Sequence, residues 1–235
     1  MKPEMIQHAV EEFWFKRDGQ AQNLEDGGTA GGAARANGHL GGVTSLVRSI
    51  FVDNGLDPEC VRVGSPYLPG YYRVRKQWDL VATYKDTLVA AIEFKSQVGS
   101  VGKNINNRFE EALGTATDTR DAQKKNSAFG EVPPWLGYVL VLEETEETEK
   151  PDRTTRAMFK TDEAFDGLSY NQRYQEMIRR FIGENVYNAG WFVTTQRHGP
   201  TVTYKEPLAT ATAEAFRVAI EGQINWVRTV VDQQR

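Results

Sequence analysis

Asp79, Glu93 and Lys95 are the residues of this chain whose types and spacing could do chemistry together. Glu93-Phe94-Lys95 is the only acid-x-lysine triplet in the sequence, and it ends a strongly apolar run that begins at Leu88. Two charges in such a segment are costly to bury without a partner or a task. Successive side chains alternate along an extended strand, so Glu93 and Lys95 share one face while Ile92 and Phe94 fill the other. Hard cations such as magnesium take oxygen ligands, use few carboxylates and keep several waters. Asp79 and Glu93 would supply two such oxygens and the Phe94 main-chain carbonyl a third. An ion so held stabilises charge on a phosphate and acidifies a bound water. Lys95 would orient that water, help deprotonate it, or pair with the phosphate. The competing reading is a salt bridge at a sheet end, Glu93 with Lys95 or a nearby arginine, and the hairpin alone leaves both open.

The elements that must position these groups are two apolar runs, residues 78–84 and 88–95, around Lys85-Asp86-Thr87, which read as a β-hairpin. The register matters. A two-residue loop alone would set Asp79 opposite Ile92 and turn the acids to opposite faces. A three-residue loop, or one bulge, sets Asp79 opposite Glu93. Around the hairpin, helical spacing of apolar residues marks residues 3–17, 43–54, 105–123, 166–187 and 210–231 as helices. Val61–Val63 reads as a short strand followed by a turn-rich connection at 65–70. Residues 137–142 form a continuous apolar run, a buried central strand or a short buried helix, and its β-branched content favours the strand. Residues 189–195 form another, paired with Thr201–Lys205. The order predicts an α/β fold, a mixed central sheet flanked by helices. No repeat or linker divides residues 1–235, so a single domain is expected.

Two segments have a different character. Residues 26–42 hold seven glycines together with His39, and read as a loop, either a flexible one or one lying against a polyanion. The helix that follows would present its N-terminus to a phosphate. Residues 143–153 contain Glu143, Glu144, Glu146, Glu147 and Glu149 and read as an acidic, solvated surface loop.

Composition narrows the classes. A chain of 235 residues with 40% hydrophobic and 26% charged content suits one globular domain. Cys60 is the sole cysteine, which excludes a disulfide framework and a cysteine zinc cluster and fits a reducing, cytoplasmic setting. His8, His39 and His198 are scattered, against a histidine-metal nuclease, and no phosphate-binding G-x-x-x-x-G-K-[ST] loop is present. No signal-peptide pattern or membrane-length apolar stretch is seen, so no membrane partner is expected. The net charge of −4 counts mildly against nucleic acid, yet cations gather at Arg62, Arg73, Arg75 and Lys76, and at Lys95, Lys103 and Arg108.

After the triplet come Ser96 and Gln97, near enough to touch a phosphate or a base edge, then Asn104, Asn106, Asn107 and Arg108. Asparagine pairs well with adenine and arginine with guanine in the major groove. The plainer reading of the asparagines is loop polarity and helix capping. His39 is a further candidate DNA contact. Glu110 or Glu111 would add an outer contact to the ion, or simply be solvated.

An acid, a second acid further on and a lysine two residues later resembles the pattern of the PD-(D/E)xK nucleases. More of the chain resembles the XhoI-type restriction endonucleases. The likeness rests on Lys76-Gln77-Trp78-Asp79, on Ile92-Glu93-Phe94-Lys95-Ser96-Gln97-Val98-Gly99, and on the run from Asn104 to Gly114. Arg173-Tyr174, Arg179-Arg180 and Tyr187-Asn188-Ala189 are similar too. The resemblance implies a magnesium-dependent homodimer that cuts both strands of the palindrome CTCGAG inside a bacterial cell, alongside a cognate DNA methyltransferase. It places the active site on Asp79, Glu93 and Lys95. Trp78 stands where the nuclease motif often has proline. Two other classes stay open: a repair or recombination nuclease on the same core, and a non-catalytic DNA-binding module.

Overall fold

The computed structural model describes residues 1–25, 38–64, 66–130, 132–152 and 157–233. The first helix, α1 (Pro3–Glu25), runs past the expected stop at 17, and α2 (Gly41–Asp53) packs across it. Three short strands follow: β1 (Val61–Val63), β2 (Tyr67–Pro69) and β3 (Arg75–Gln77). The central hairpin is β4 (Leu80–Tyr84) and β5 (Thr87–Gln97). Then come α3 (Val101–Asn126), β6 (Leu136–Glu143), the one-turn α4 (Glu146–Glu149) and α5 (Tyr170–Gly183). The chain closes with β7 (Ala189–His198), β8 (Thr201–Lys205) and α6 (Ala213–Gln233).

Six strands form one sheet in the order β1-β4-β5-β6-β7-β8, while β2 and β3 pair separately as a small two-stranded ribbon. The β4–β5 pair is antiparallel, β5–β6 and β6–β7 are parallel, and β8 returns antiparallel to β7. The expected α/β fold with a mixed, helix-flanked sheet is what the chain adopts. Helices cover both faces, which is why Leu88–Ile92 of β5 and nearly all of β6 are continuously apolar rather than alternating. On one face Ile92, Phe94, Val139 and Val141 pack with Phe13 of α1, Val47 of α2 and Ile220 of α6. On the other, Ala91, Tyr138 and Leu140 pack with Ile105 and Ala112 of α3 and Met177 and Phe181 of α5.

The hairpin combines both expected geometries. Its loop is the two-residue Lys85-Asp86, with φ of 44° and 65°, a backbone hand that matches strand twist. Between Ala82 and Thr83 the register shifts: Thr83 faces Leu88 but Ala82 faces Ala90, leaving Val89 as an extra residue. That bulge carries the pairing to Leu80 opposite Ile92, so the next step places Asp79 across from Glu93.

Three readings need correction. Gly38–Leu40 is a 3₁₀ turn and Gly41 and Gly42 are the first residues of α2, not loop. A Cβ at Gly42 would lie 3.3 Å from the Ala9 backbone and closer still to the Glu12 carboxylate, so this glycine permits close helix packing rather than approach to a phosphate. The rest of that stretch, 26–37, lies outside the described residues. The acidic segment is not wholly loop: Thr145 and Thr148 form a reciprocal capping box at α4, and the acids decorate its exposed side. The turn-rich 65–70 connection carries β2, which turns residues 75–77 away from the main sheet and shortens the strand expected from 78 to Leu80 onward.

Candidate active site

Glu93 is buried at 7% exposure on the face of β5 that looks toward α3 and α5, and each of its carboxylate oxygens holds one ammonium. Lys95 Nζ lies 2.6 Å from Oε1 and Lys76 Nζ 2.5 Å from Oε2. The shared face of Glu93 and Lys95 follows from strand alternation. Lys76 comes from β3, outside the β4–β5 hairpin, and its ammonium sits 4.6 Å from the centre of the buried Trp78 ring. Trp78 thus serves as a platform for a lysine where the nuclease motif often has proline.

Asp79 sits in the bend before β4, and its Oδ2 accepts the Phe94 N–H at 2.8 Å. A residue's N–H and C=O leave an extended strand on the same side, so the Phe94 carbonyl is directed past the end of β4 toward Asp79. Burial by itself would raise the Glu93 pKa, but Lys95 and Lys76 outweigh it and hold the carboxyl below its ordinary range. Burial would lower Lys95, but Glu93, Asp79 and Glu111 together hold its ammonium above the usual lysine value. Glu111 of α3 reaches to 3.9 Å from Lys95 and accepts from Arg108 at 2.9 Å. The Tyr138 hydroxyl, buried beside Glu93 with no partner among the described residues, is pushed upward by burial and then by that charge.

The DNA-contact candidates divide by place. Asn104, Asn106, Asn107 and Arg108 lie in the first two turns of α3, with Asn106 and Asn107 exposed. None of them caps the helix, since that position is Ser100, with φ of 45°. Gln97 is buried and its amide turns back to donate to the Gly99 carbonyl. Ser96 and His39 are on the opposite face of the sheet from Glu93. The two are bonded to each other, Nε2 to Oγ at 2.7 Å, and His39 is 4% exposed against the Phe13 ring. Burial, then Arg17, lowers the His39 pKa to about 4. Lys76 carried no assigned role in the sequence reading; the signal was its place in the run that leads into Asp79.

The donor set suits a hard divalent ion: two carboxylates and one carbonyl, with two ammonium groups now gathered at one carboxylate. Among the described residues no group of three or more His, Cys, Asp or Glu side chains converges.

Comparison with known proteins places the chain. The family model described as "Restriction endonuclease XhoI" matches residues 16–205. This chain belongs to the XhoI restriction endonuclease family. It is 34% identical over 197 residues to the type II restriction enzyme BstVI of Geobacillus stearothermophilus, covering 80% of this chain and 87% of that protein. It is 36% identical over 179 residues to the type II restriction enzyme XhoI of Xanthomonas vasicola, covering 74% of this chain and 72% of the other. The type II restriction enzyme AbrI of Azospirillum brasilense is 36% identical over 159 residues, 65% of this chain and 71% of its own. No solved structure matches. The family's matched region spans all of the site, from β3 to the first turns of α3.

Proposed function

We propose that this member of the family is a type II site-specific deoxyribonuclease that hydrolyses both strands of a palindromic duplex site, with CTCGAG as the target. The observation that carries this reading is the bulged hairpin: it sets Asp79 against the backbone N–H of Phe94 at the end of β4, beside the Glu93–Lys95 pair of β5. Asp79, Glu93 and the Phe94 carbonyl would hold magnesium. When bound, such an ion stabilises charge on the scissile phosphate and makes a water acidic enough to attack. Asp79 also fixes β5 through the Phe94 amide, so the donors keep their mutual placement. Lys95, held protonated in these surroundings, donates to the phosphate or orients the attacking water. Exposed Asn106 and Asn107, with Asn104 and Arg108, present polar groups for base edges near the cut. A palindrome read by identical subunits calls for two-fold symmetry, hence a homodimer. The setting is a bacterial cytoplasm with a methyltransferase that protects the host's own sites.

Digestion of unmodified plasmid DNA tests the reading. Discrete bands with magnesium, ends mapping to CTCGAG and loss of cutting on chelation are expected. A smear or branch-specific cuts would mark a repair nuclease, and intact DNA at all metal concentrations a non-catalytic module.

A further inference from the structure

We infer that Lys76 competes with the divalent ion for Glu93, so that the small β2–β3 ribbon sets how readily the active site takes up metal. The inference rests on the carboxylate pair proposed above. Each oxygen of Glu93 has its own ammonium, and the two lysines reach it by different routes. Lys95 is two residues along the same strand and is held as well by Glu111. Lys76 comes from a separate sheet, donates also to the Gln77 carbonyl at 2.7 Å, and lies over Trp78. A cation and a divalent ion sharing one carboxylate oxygen repel each other strongly at such short range. One must withdraw when the other arrives, and Lys76 is the one with somewhere to go. Its ribbon ends in an exposed tip, with Tyr72 69% and Val74 91% exposed. The whole stretch from Val61 to Trp78 carries Arg62, Arg73, Arg75 and Lys76 and no acid. A displaced ammonium there faces the phosphates of bound duplex. DNA that attracts Lys76 away from Glu93 therefore favours the ion, and the ion in turn favours DNA by the same factor.

The test is Mn²⁺ titration of the full-length protein without DNA, followed by calorimetry or the electron-spin signal of free Mn²⁺. Lys76→Met should bind roughly tenfold tighter than the unaltered chain, and Lys76→Arg, which keeps the charge, should not. Met binding no tighter than the unaltered chain overturns the inference. In case Lys76→Met folds poorly, the unaltered protein offers a second reading. Reductive methylation of Lys76, located by mass spectrometry, should be slow and should accelerate when Ca²⁺ is added; unchanged protection at saturating Ca²⁺ also overturns it. Asp79→Asn separates the two levels of argument. If that variant loses Mn²⁺ affinity while Lys76→Met shows no gain, the metal site stands and the competition falls. If Asp79→Asn binds as the unaltered chain does, the carboxylate pair itself is not the metal site and both readings fall.

Discussion

Lys95 and His39 show how differently one charge-bearing side chain can be used on the two faces of a single sheet. Lys95 is aimed at Glu93 and its proton is held by three carboxylates. Affinity of a DNA-binding protein comes mainly from many phosphate and base contacts spread over its surface. Lys95→Ala should therefore cut cleavage by at least roughly a hundredfold while cognate binding, read by gel shift in Ca²⁺, stays within a few fold. Asp79→Asn should also stop cleavage, and an amide oxygen there can still accept the Phe94 N–H, so the thermal midpoint should move little. Cleavage by Lys95→Ala at the unaltered rate would return this cluster to a structural ion pair. His39 is placed differently: it packs between α1 and β5, bonded to Ser96. Its folded pKa of about 4 lies below the ordinary 6.5. The unfolded chain thus binds the proton first as pH falls, so stability is full above 6.5 and declines between 6.5 and 4. Between pH 7.5 and pH 5 the loss should be about 2 kcal/mol. Urea midpoints at the two pH values should differ clearly for the unaltered protein and less for His39→Gln; equal slopes would show His39 titrating normally.

At the scale of elements, the β2–β3 ribbon needs an anchor, because a two-stranded hairpin has little stability of its own. Asp118 of α3 supplies it. Its buried carboxylate accepts the Tyr71 and Tyr72 N–H groups, each at 2.8 Å, and the Arg73 Nε at 2.7 Å. Gly70 is required there, since a Cβ would meet the Arg73 carbonyl at 2.7 Å as well as that carboxylate. Lys125 and Arg75 lie over the Tyr71 and Tyr67 rings at 4.5 and 4.3 Å, completing a basic, aromatic projection beside the site. Asp118→Ala should cost about 2 kcal/mol by leaving those donors short of an acceptor. Amide exchange at Tyr71 and Tyr72 should quicken far more than at β6. Uniform protection across the chain would mean that the ribbon is held by something else.

For the whole molecule, α6 settles one question of packing. Phe216, Ile220, Ile224, Val227 and Val231 all turn inward onto the sheet, so most of its apolar surface is spent within the chain. Trp226, 45% exposed, and Val218, 53% exposed, remain outward. Among the described helices none is long and apolar enough to cross a membrane. With a net charge of −4 the chain has no overall positive excess, so in the proposed reading duplex contacts would rest on local basic groups such as those of the ribbon and the start of α3. Two copies would double those contacts across a palindrome. Light scattering should give a dimer of the 26.5 kDa chain, at the latest on a cognate duplex. A single protomer per duplex at saturation would exclude two-fold reading of the site.

Strand alternation alone was enough to place Glu93 and Lys95 on one face, and continuous apolar runs were enough to mark β5 and β6 as buried between helix layers. Those are properties of neighbouring residues and need no distant partner. The sequence also posed the register problem correctly, since loop length and bulge count obey a simple parity. It did not say which solution holds; the structure has the Val89 bulge over a two-residue turn. Gly42 read as loop because its reason lies some thirty residues away, at Ala9 and Glu12 of α1. Lys76 had no visible role because its partner is on another sheet, and alternation turns Ser96 away from Glu93 whereas only the packing of α1 brings His39 against it. Local pattern fixes which way a side chain points from its own strand. What it meets there depends on contacts between segments far apart in the chain, and only the tertiary structure decides those.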